Sequence, residues 1–332
     1  MEPRRSKPEI LPCQGRNVSD MTDAILFDAR PDGIAVLTIN RPDQRNCLSR
    51  EVREGLRAAW DRFETDPALR VAILTGSGDK AFCAGGDLKE MVETGMTVPP
   101  RAMFPLPYDT IELSKPTIAA VNGVAFAGGW MIAQACDLCV ASSTARFAIT
   151  EVKVGRSSPW ASPLIHMIPQ RIMMEIILTG KPITAQRAYE IGLVNRLAEP
   201  EALLDAAIAL AAEILDGAPL SVKAGRDTVM LATEMGRSAA LQAARAASEY
   251  TYQSEDAQEG PRAFAEKKKK KTPAPVAGPI DDKRGCHDRS DTAGHRPGRC
   301  LYIARLCPRR TGPIVAQGLA AGRPVGGHSQ CG

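Results

Sequence analysis

Apolar positions along the chain keep two different rhythms. Up to about Met174, short apolar runs of strand length alternate with stretches of helical spacing; beyond it the spacing is helical only. Ala24–Asp28 and Ile34–Asn40 read as strands joined by the turn Arg30-Pro31-Asp32-Gly33, at hairpin separation and with turn residues to match. Ser49 is placed to cap a helix carrying Val52, Leu56, Ala59, Trp60 and Phe63 on one face. The pattern continues with a strand at Val71–Thr75, a helix at Leu88–Glu93, a Pro-rich loop from Val98 to Pro107 and a helix around Asp109–Leu113. A strand at Thr117–Val121, a helix running to Cys136 and a strand at Leu138–Ala141 follow. Such alternation predicts an α/β core. Helices are then expected at Ala185–Glu190, Glu201–Leu215, Pro219–Ala232 and Ala239–Thr251, packing across neighbours or capping the core.

Two glycine-rich turns stand out, Phe82-Cys83-Ala84-Gly85-Gly86-Asp87 and Val121-Asn122-Gly123-Val124-Ala125-Phe126-Ala127-Gly128-Gly129. Each is read as leading from a buried strand, Val71–Leu74 or Thr117–Val121, into a helix. Two such turns can aim two backbone N–H groups at one point, which is how a developing negative charge is held. Tight turns demand glycine in any case, so the turns alone leave the function open.

The chain has 332 residues, 44% hydrophobic and 24% charged, enough for one large domain or two ordinary ones. It reads as a soluble protein without a transmembrane run or signal peptide, and is expected in the cytoplasm. The net charge of +4 belongs to the tail: residues 272–332 hold nine basic against four acidic residues, the rest 33 against 34. The body therefore carries no sign of a nucleic-acid surface. Cys136-Asp137-Leu138-Cys139 has neither a second pair nor a neighbouring histidine, so no metal site is expected and the cysteines are read as buried apolar residues. Only His166 precedes the lysine run Lys267–Lys271. Catalysis would thus rest on carboxylates and backbone donors rather than on a histidine triad.

Residues 1–21 are polar and predict a disordered leader, with Met21 a candidate initiator. Residues 22–200 form the alternating core and 201–269 the helical segment. Residues 270–332, rich in Gly, Pro, Arg and Cys, read either as a disordered extension or as a frameshift product following the lysine codons.

Several ordered motifs resemble the crotonase superfamily, the enoyl-CoA hydratases and isomerases, over about Thr22 to Lys269. They are Asn40-Arg41-Pro42 with Asn46-Cys47-Leu48-Ser49, Ala81-Phe82-Cys83-Ala84-Gly85-Gly86-Asp87-Leu88-Lys89-Glu90, and Lys115-Pro116-Thr117-Ile118-Ala119-Ala120-Val121-Asn122-Gly123. Ala135-Cys136-Asp137, Leu178-Thr179-Gly180, Gly192-Leu193-Val194-Asn195 and the stretch from Ser254-Glu255-Asp256 to Phe264 and Lys267 complete them. The resemblance implies a superhelix of ββα units, a C-terminal helical segment that makes homotrimers or homohexamers, and an acyl-CoA thioester as substrate, with no separate cofactor. It also implies that the thioester oxygen lies between the N–H groups of Gly86 and Gly128.

Hydratases of that family carry two glutamates around a shared water. The second is present as Glu151; the first position holds Met131, which can neither accept a proton nor orient water. The glycine-rich stretch after the second glutamate is replaced by Arg156-Ser157-Ser158-Pro159-Trp160-Ala161-Ser162-Pro163. Trp130 and Trp160 are candidates for the acyl pocket or for the core. Arg156 is expected to pair with Glu151 and lower its pKa, with binding of an acidic acyl group as its other use. The resemblance further suggests CoA contacts at Arg45, Lys80, Ala84, Asp87 and Lys89, and at Phe264 and Lys267 from a neighbouring subunit. One carboxylate and an oxyanion hole suffice for moving a double bond and are a poor set for adding water. A non-catalytic acyl-CoA-binding scaffold that has lost its first glutamate is the alternative.

Overall fold

A computed structural model describes residues 23–266. The leader, Lys267 and the tail from 270 onward lie outside the described residues, as do the expectations that concern them.

Strands β1 (Ile25–Ala29) and β2 (Ile34–Ile39) form the expected antiparallel hairpin. Strands β3 (Val71–Gly76), β5 (Thr117–Val121), β7 (Leu138–Ser142) and β10 (Arg196–Ala198) extend it in parallel, in the order β1-β2-β3-β5-β7-β10. A second sheet consists of three-residue strands β4 (Ala81–Cys83), β6 (Val124–Phe126) and β8 (Arg146–Ala148), parallel to one another, with β9 (Ile183–Thr184) antiparallel at its edge. Each of the pairs β3-β4, β5-β6 and β7-β8 thus contributes one strand to each sheet. This is the ββα repeat of a crotonase-type superhelix.

The β3 strand shows why the large sheet is buried on both faces. Ala72 and Leu74 join the core that holds helix α1 (Arg50–Thr65), while Val71 and Ile73 point to the other side. There α6 (Leu203–Leu215) covers them with Leu203, Ala207, Leu210 and Ala211. A parallel sheet covered on both faces requires such continuous apolar runs. Helix α1 starts where Ser49 accepts a hydrogen bond from the Val52 amide, and buries Val52, Leu56, Ala59, Trp60 and Phe63 as its spacing predicts. Each large side chain so buried stabilises the fold by about 1.5–3 kcal/mol.

Three expectations are corrected. No helix forms at Asp109–Leu113: the Leu106 carbonyl collects the amides of Asp109, Thr110 and Ile111, and the Thr110 hydroxyl bonds the Leu106 amide and the Phe104 carbonyl, so the chain closes a tight turn instead. The region after Met174 is not purely helical. Helices α4 (Gln170–Thr179) and α5 (Ala185–Glu190) are separated by β9, and β10 adds to the large sheet beside β7. Finally, the glycine turns follow the short strands β4 and β6 rather than β3 and β5 directly.

Helices α7 (Pro219–Glu234) and α8 (Arg237–Tyr252) pack together, and α9 (Glu255–Ala265) begins at Ser254, which caps it through the Ala257 amide. Arg226 fastens α7 to the core: it pairs with Asp137 at 2.8 Å, bonds the Leu113 carbonyl and lies 4.0 Å over the Tyr108 ring. Among the described residues, no helix is long and apolar enough to cross a membrane.

Candidate active site

Neighbouring parallel strands deliver three chemically distinct groups at one edge of the small sheet. Residues Ala81 and Cys83 of β4 pair with Val124 and Ala125 of β6, and Phe126 of β6 pairs with Ala148 of β8. Beyond the C-terminal ends of these strands lie Gly85-Gly86, Ala127-Gly128 and Glu151 respectively.

The first turn is held from behind by a buried asparagine. The Asn46 amide donates to the carbonyls of Ser77 and Ala81 at 2.9 and 2.7 Å and accepts from the Arg41 amide. Leu48 bridges to the turn through its amide and the Gly85 carbonyl, and the Ala84 amide bonds the Arg45 carbonyl. Asp87 then caps α2 (Leu88–Glu93), accepting from the amides of Lys89 and Glu90. Arg53 of α1 pairs with Glu90 at 2.7 Å and holds its carboxyl below the usual range. Asp87 therefore has a local structural task, whatever it does towards substrate.

The second turn is strained. Ala127 sits at φ +48°, ψ −120°, tied by its amide to the Ala148 carbonyl, and α3 (Gly128–Gln134) starts immediately after it. A non-glycine residue in this region costs of order 1–3 kcal/mol and persists only where its surroundings enforce it. Here the enforcement is close packing: a Cβ on Gly129 would stand 1.9 Å from the Cys83 carbonyl oxygen. The two turns touch, since a Cβ on Gly128 would lie 3.5 Å from the Gly86 nitrogen and one on Gly85 would lie 3.4 Å from the Gly128 nitrogen. Among the described residues, neither the Gly86 nor the Gly128 amide donates to a backbone carbonyl. Two adjacent uncommitted donors are what an oxyanion requires.

Glu151 opens the short 3₁₀ segment Glu151–Val154 after β8. Its Oε1 accepts from the Trp160 indole nitrogen at 2.8 Å, while its Oε2 is buried and has no partner among the described residues. Burial pushes the carboxyl above the ordinary glutamate range, opposed by hydrogen bonds from backbone and from Trp160. The expected Arg156 pairing is overturned. The Arg156 guanidinium donates to the Met96 carbonyl at 2.9 Å, and among the described residues no ion pair joins it to Glu151. The pKa accordingly moves up, not down.

Met131 is 4% exposed and belongs to the main core. Trp130, 1% exposed, stacks edge-on against Phe147 at 5.7 Å and belongs to the same core, whereas Trp160 is half-buried at the carboxylate. Arg45, Lys80 and Lys89 are exposed, and Ala84 is half-buried on the first turn. Phe264 on α9 is 86% exposed, with no described contact to the glycine turns. Cys83, Cys136 and Cys139 are buried free thiols, and burial raises each of their pKa values.

The enoyl-CoA hydratase/isomerase family model matches residues 29–272. The chain belongs to the enoyl-CoA hydratase/isomerase family. It is 38% identical over 247 residues to an (E)-benzylidenesuccinyl-CoA hydratase of Thauera aromatica, covering 71% of this chain and 93% of that one. Identity to a carnitinyl-CoA dehydratase of Salmonella arizonae is 37% over 245 residues, at 71% and 93% coverage. The crystal structure of an enoyl-CoA hydratase from Mycobacterium marinum superimposes with a TM-score of 0.70 at 39% identity, covering 75% of this chain and 98% of that one. Family membership makes the protein an acyl-CoA-processing enzyme of the hydratase/isomerase type. Sequence reasoning missed the Trp160–Glu151 bond and the contribution of Gln134, whose amide nitrogen donates to the Trp160 carbonyl at 2.6 Å.

Proposed function

We propose that the protein binds an acyl-CoA thioester, holds the thioester oxygen between the Gly86 and Gly128 amides, and moves a proton with Glu151 as its only acid/base. The observation that carries this reading is the buried, unpartnered Oε2 of Glu151, delivered by the strand adjacent to the one bearing Gly128. An orphaned buried carboxylate oxygen is costly and is kept where a reaction uses it. Polarising the thioester carbonyl acidifies the neighbouring carbon; the base takes its proton and the electron pair passes into the enolate. A lost donor at such a site typically costs about 3 kcal/mol of transition-state stabilisation.

With Met131 in the first glutamate's position, one base suits transfer of the proton from the α- to the γ-carbon, an isomerisation. The names of the hydratase and dehydratase relatives favour addition or removal of water as a second reading, which needs a group other than Met131 to hold that water. Arg45, Lys80, Lys89 and the Ala84 turn would meet the CoA nucleotide, Trp130 and Trp160 the acyl side, and Phe264 and Lys267 the CoA of a neighbour in a cytoplasmic trimer or hexamer. CoA enters as part of the substrate, and no separate cofactor is required. The test is absorbance: a panel of 2-enoyl- and 3-enoyl-CoA thioesters is mixed with the protein, and loss or appearance of the conjugated enoyl band is followed. Thermal stabilisation by CoA without turnover of any member would replace this reading with that of an acyl-CoA-binding scaffold.

A further inference from the structure

Glu151 is gripped by a residue to which the proton-transfer reading gives no part in moving the proton. Trp160 lies in the 3₁₀ segment Pro159–His166, in the loop that follows Glu151. Its indole N–H reaches Glu151 Oε1 at 2.8 Å, and its own carbonyl accepts from Gln134 Nε2, at the end of α3, at 2.6 Å. The Trp160 backbone is thus tied to the helix that starts at Gly128, and its indole holds the carboxylate in turn.

An indole N–H donates only and does not ionise in the working pH range, so it orients a carboxylate without competing for the proton in transit. It makes the two oxygens unequal: Oε1 is committed, and Oε2 is buried without a partner. Among the described residues no ion pair reaches Glu151, and the influences on its titration are burial, backbone amides and this indole. The choice of reacting oxygen therefore falls to Trp160.

We propose that Trp160 is the positioning residue of the site: it holds Oε1 of Glu151, leaving Oε2 to take the α-proton and return it, with Gln134 bracing the Trp160 backbone. The inference rests on Glu151 being the acid/base. In the step so oriented, the α-C–H bond breaks towards Oε2, its electron pair enters the enolate, and the same proton forms the new bond at the γ-carbon; nothing is oxidised or reduced.

The test uses the full chain and a 3-enoyl-CoA. Trp160→Phe keeps an aromatic ring and removes the N–H; 3-benzothienylalanine at the same position replaces the N–H by sulfur in a ring of nearly the same shape, which guards against a folding defect. Both are expected to leave KM within about twofold, to lower kcat by about 10–100-fold as expected for a misplaced base, and to move the acid limb of the kcat/KM profile to higher pH because a donor favouring the carboxylate is gone. An unchanged kcat, or a fall in kcat with the acid limb unmoved, overturns the positioning role while Glu151→Gln is inactive. If Glu151→Gln is itself fully active, it is the base assignment that falls.

Discussion

Trp160 donates to one oxygen of Glu151 at 2.8 Å and leaves the other buried, without a partner among the described residues. The carboxyl is consequently raised by burial and only partly brought back by its hydrogen bonds. This combination couples activity to stability in a way that can be measured.

Glu151→Gln should lower turnover of an enoyl-CoA by about 10³-fold, the range for removing a general base. It should also stabilise the fold. A carboxyl whose folded pKa lies above its unfolded value binds its proton more tightly when folded, so stability is lost as pH rises from the unfolded towards the folded pKa and stays lost above it. The neutral amide escapes that penalty. Thermal unfolding at pH 7.5 should show a melting temperature above the parent's, the gain shrinking to nothing as the pH falls below the ordinary glutamate range. A variant less stable than the parent at pH 7.5 would contradict the assignment of an unsatisfied Oε2.

Arg226 ties α7 to the core through Asp137, the Leu113 carbonyl and the Tyr108 ring. Arg226→Ala leaves the half-buried Asp137, which also bonds Thr117, without its cation. Breaking such a pair by removing one partner typically costs about 3–5 kcal/mol. Denaturant unfolding should register this loss; a change under about 1 kcal/mol would mean that α7 is held by its apolar contacts instead.

The glycine pair Gly128 and Gly129 separates chemistry from packing. A Cβ on Gly129 meets the Cys83 carbonyl oxygen at 1.9 Å and its carbon at 2.8 Å, backbone atoms that cannot swing aside as a side chain would, so Gly129→Ala should destabilise by about 3 kcal/mol or more. A Cβ on Gly128 meets only the Leu48 Cδ1 methyl at 3.0 Å and lies 3.5 Å from the Gly86 nitrogen. Gly128→Ala should therefore keep stability within about 1 kcal/mol while crowding the oxyanion position and lowering kcat by about 10²-fold. Paired melting curves and initial rates decide: a stable, fully active Gly128→Ala would remove the oxyanion role from that amide.

Strands β2, β3 and β5 were legible because a strand buried on both faces has to be an apolar run. The strands that place the site were not. Three residues such as Ala81-Phe82-Cys83 or Val124-Ala125-Phe126 carry no period, and β10, Arg-Leu-Ala, becomes a strand only because it lies beside β7. The catalytic candidates Gly86, Gly128 and Glu151 came from family motifs, and the topology supplies the reason for their company: they follow neighbouring parallel strands. Arg156, five residues from Glu151, looked like its partner by charge. Trp160, nine residues away and neutral, takes the contact because the turn after Gly155 sends Arg156 towards Met96. Charge attraction along a sequence says nothing about which side of a loop a side chain leaves.

Met131 tests how much of a hydratase remains. It occupies α3 one turn before Gln134, where the resemblance to hydratases implies the glutamate that orients water, and it is 4% exposed. Met131→Glu introduces a carboxyl into an apolar environment, at a cost of about 2 kcal/mol if it finds no partner. Placed beside Glu151, the two carboxyls disfavour each other's charged form, so at least one must titrate higher than it would alone. The expected outcome is a lower melting temperature together with hydration of a 2-enoyl-CoA raised above the parent, its acid limb displaced upward. Loss of stability without any gain in hydration would show that the Arg156–Pro163 loop, with Trp160 on Glu151, has committed the site to single-base chemistry.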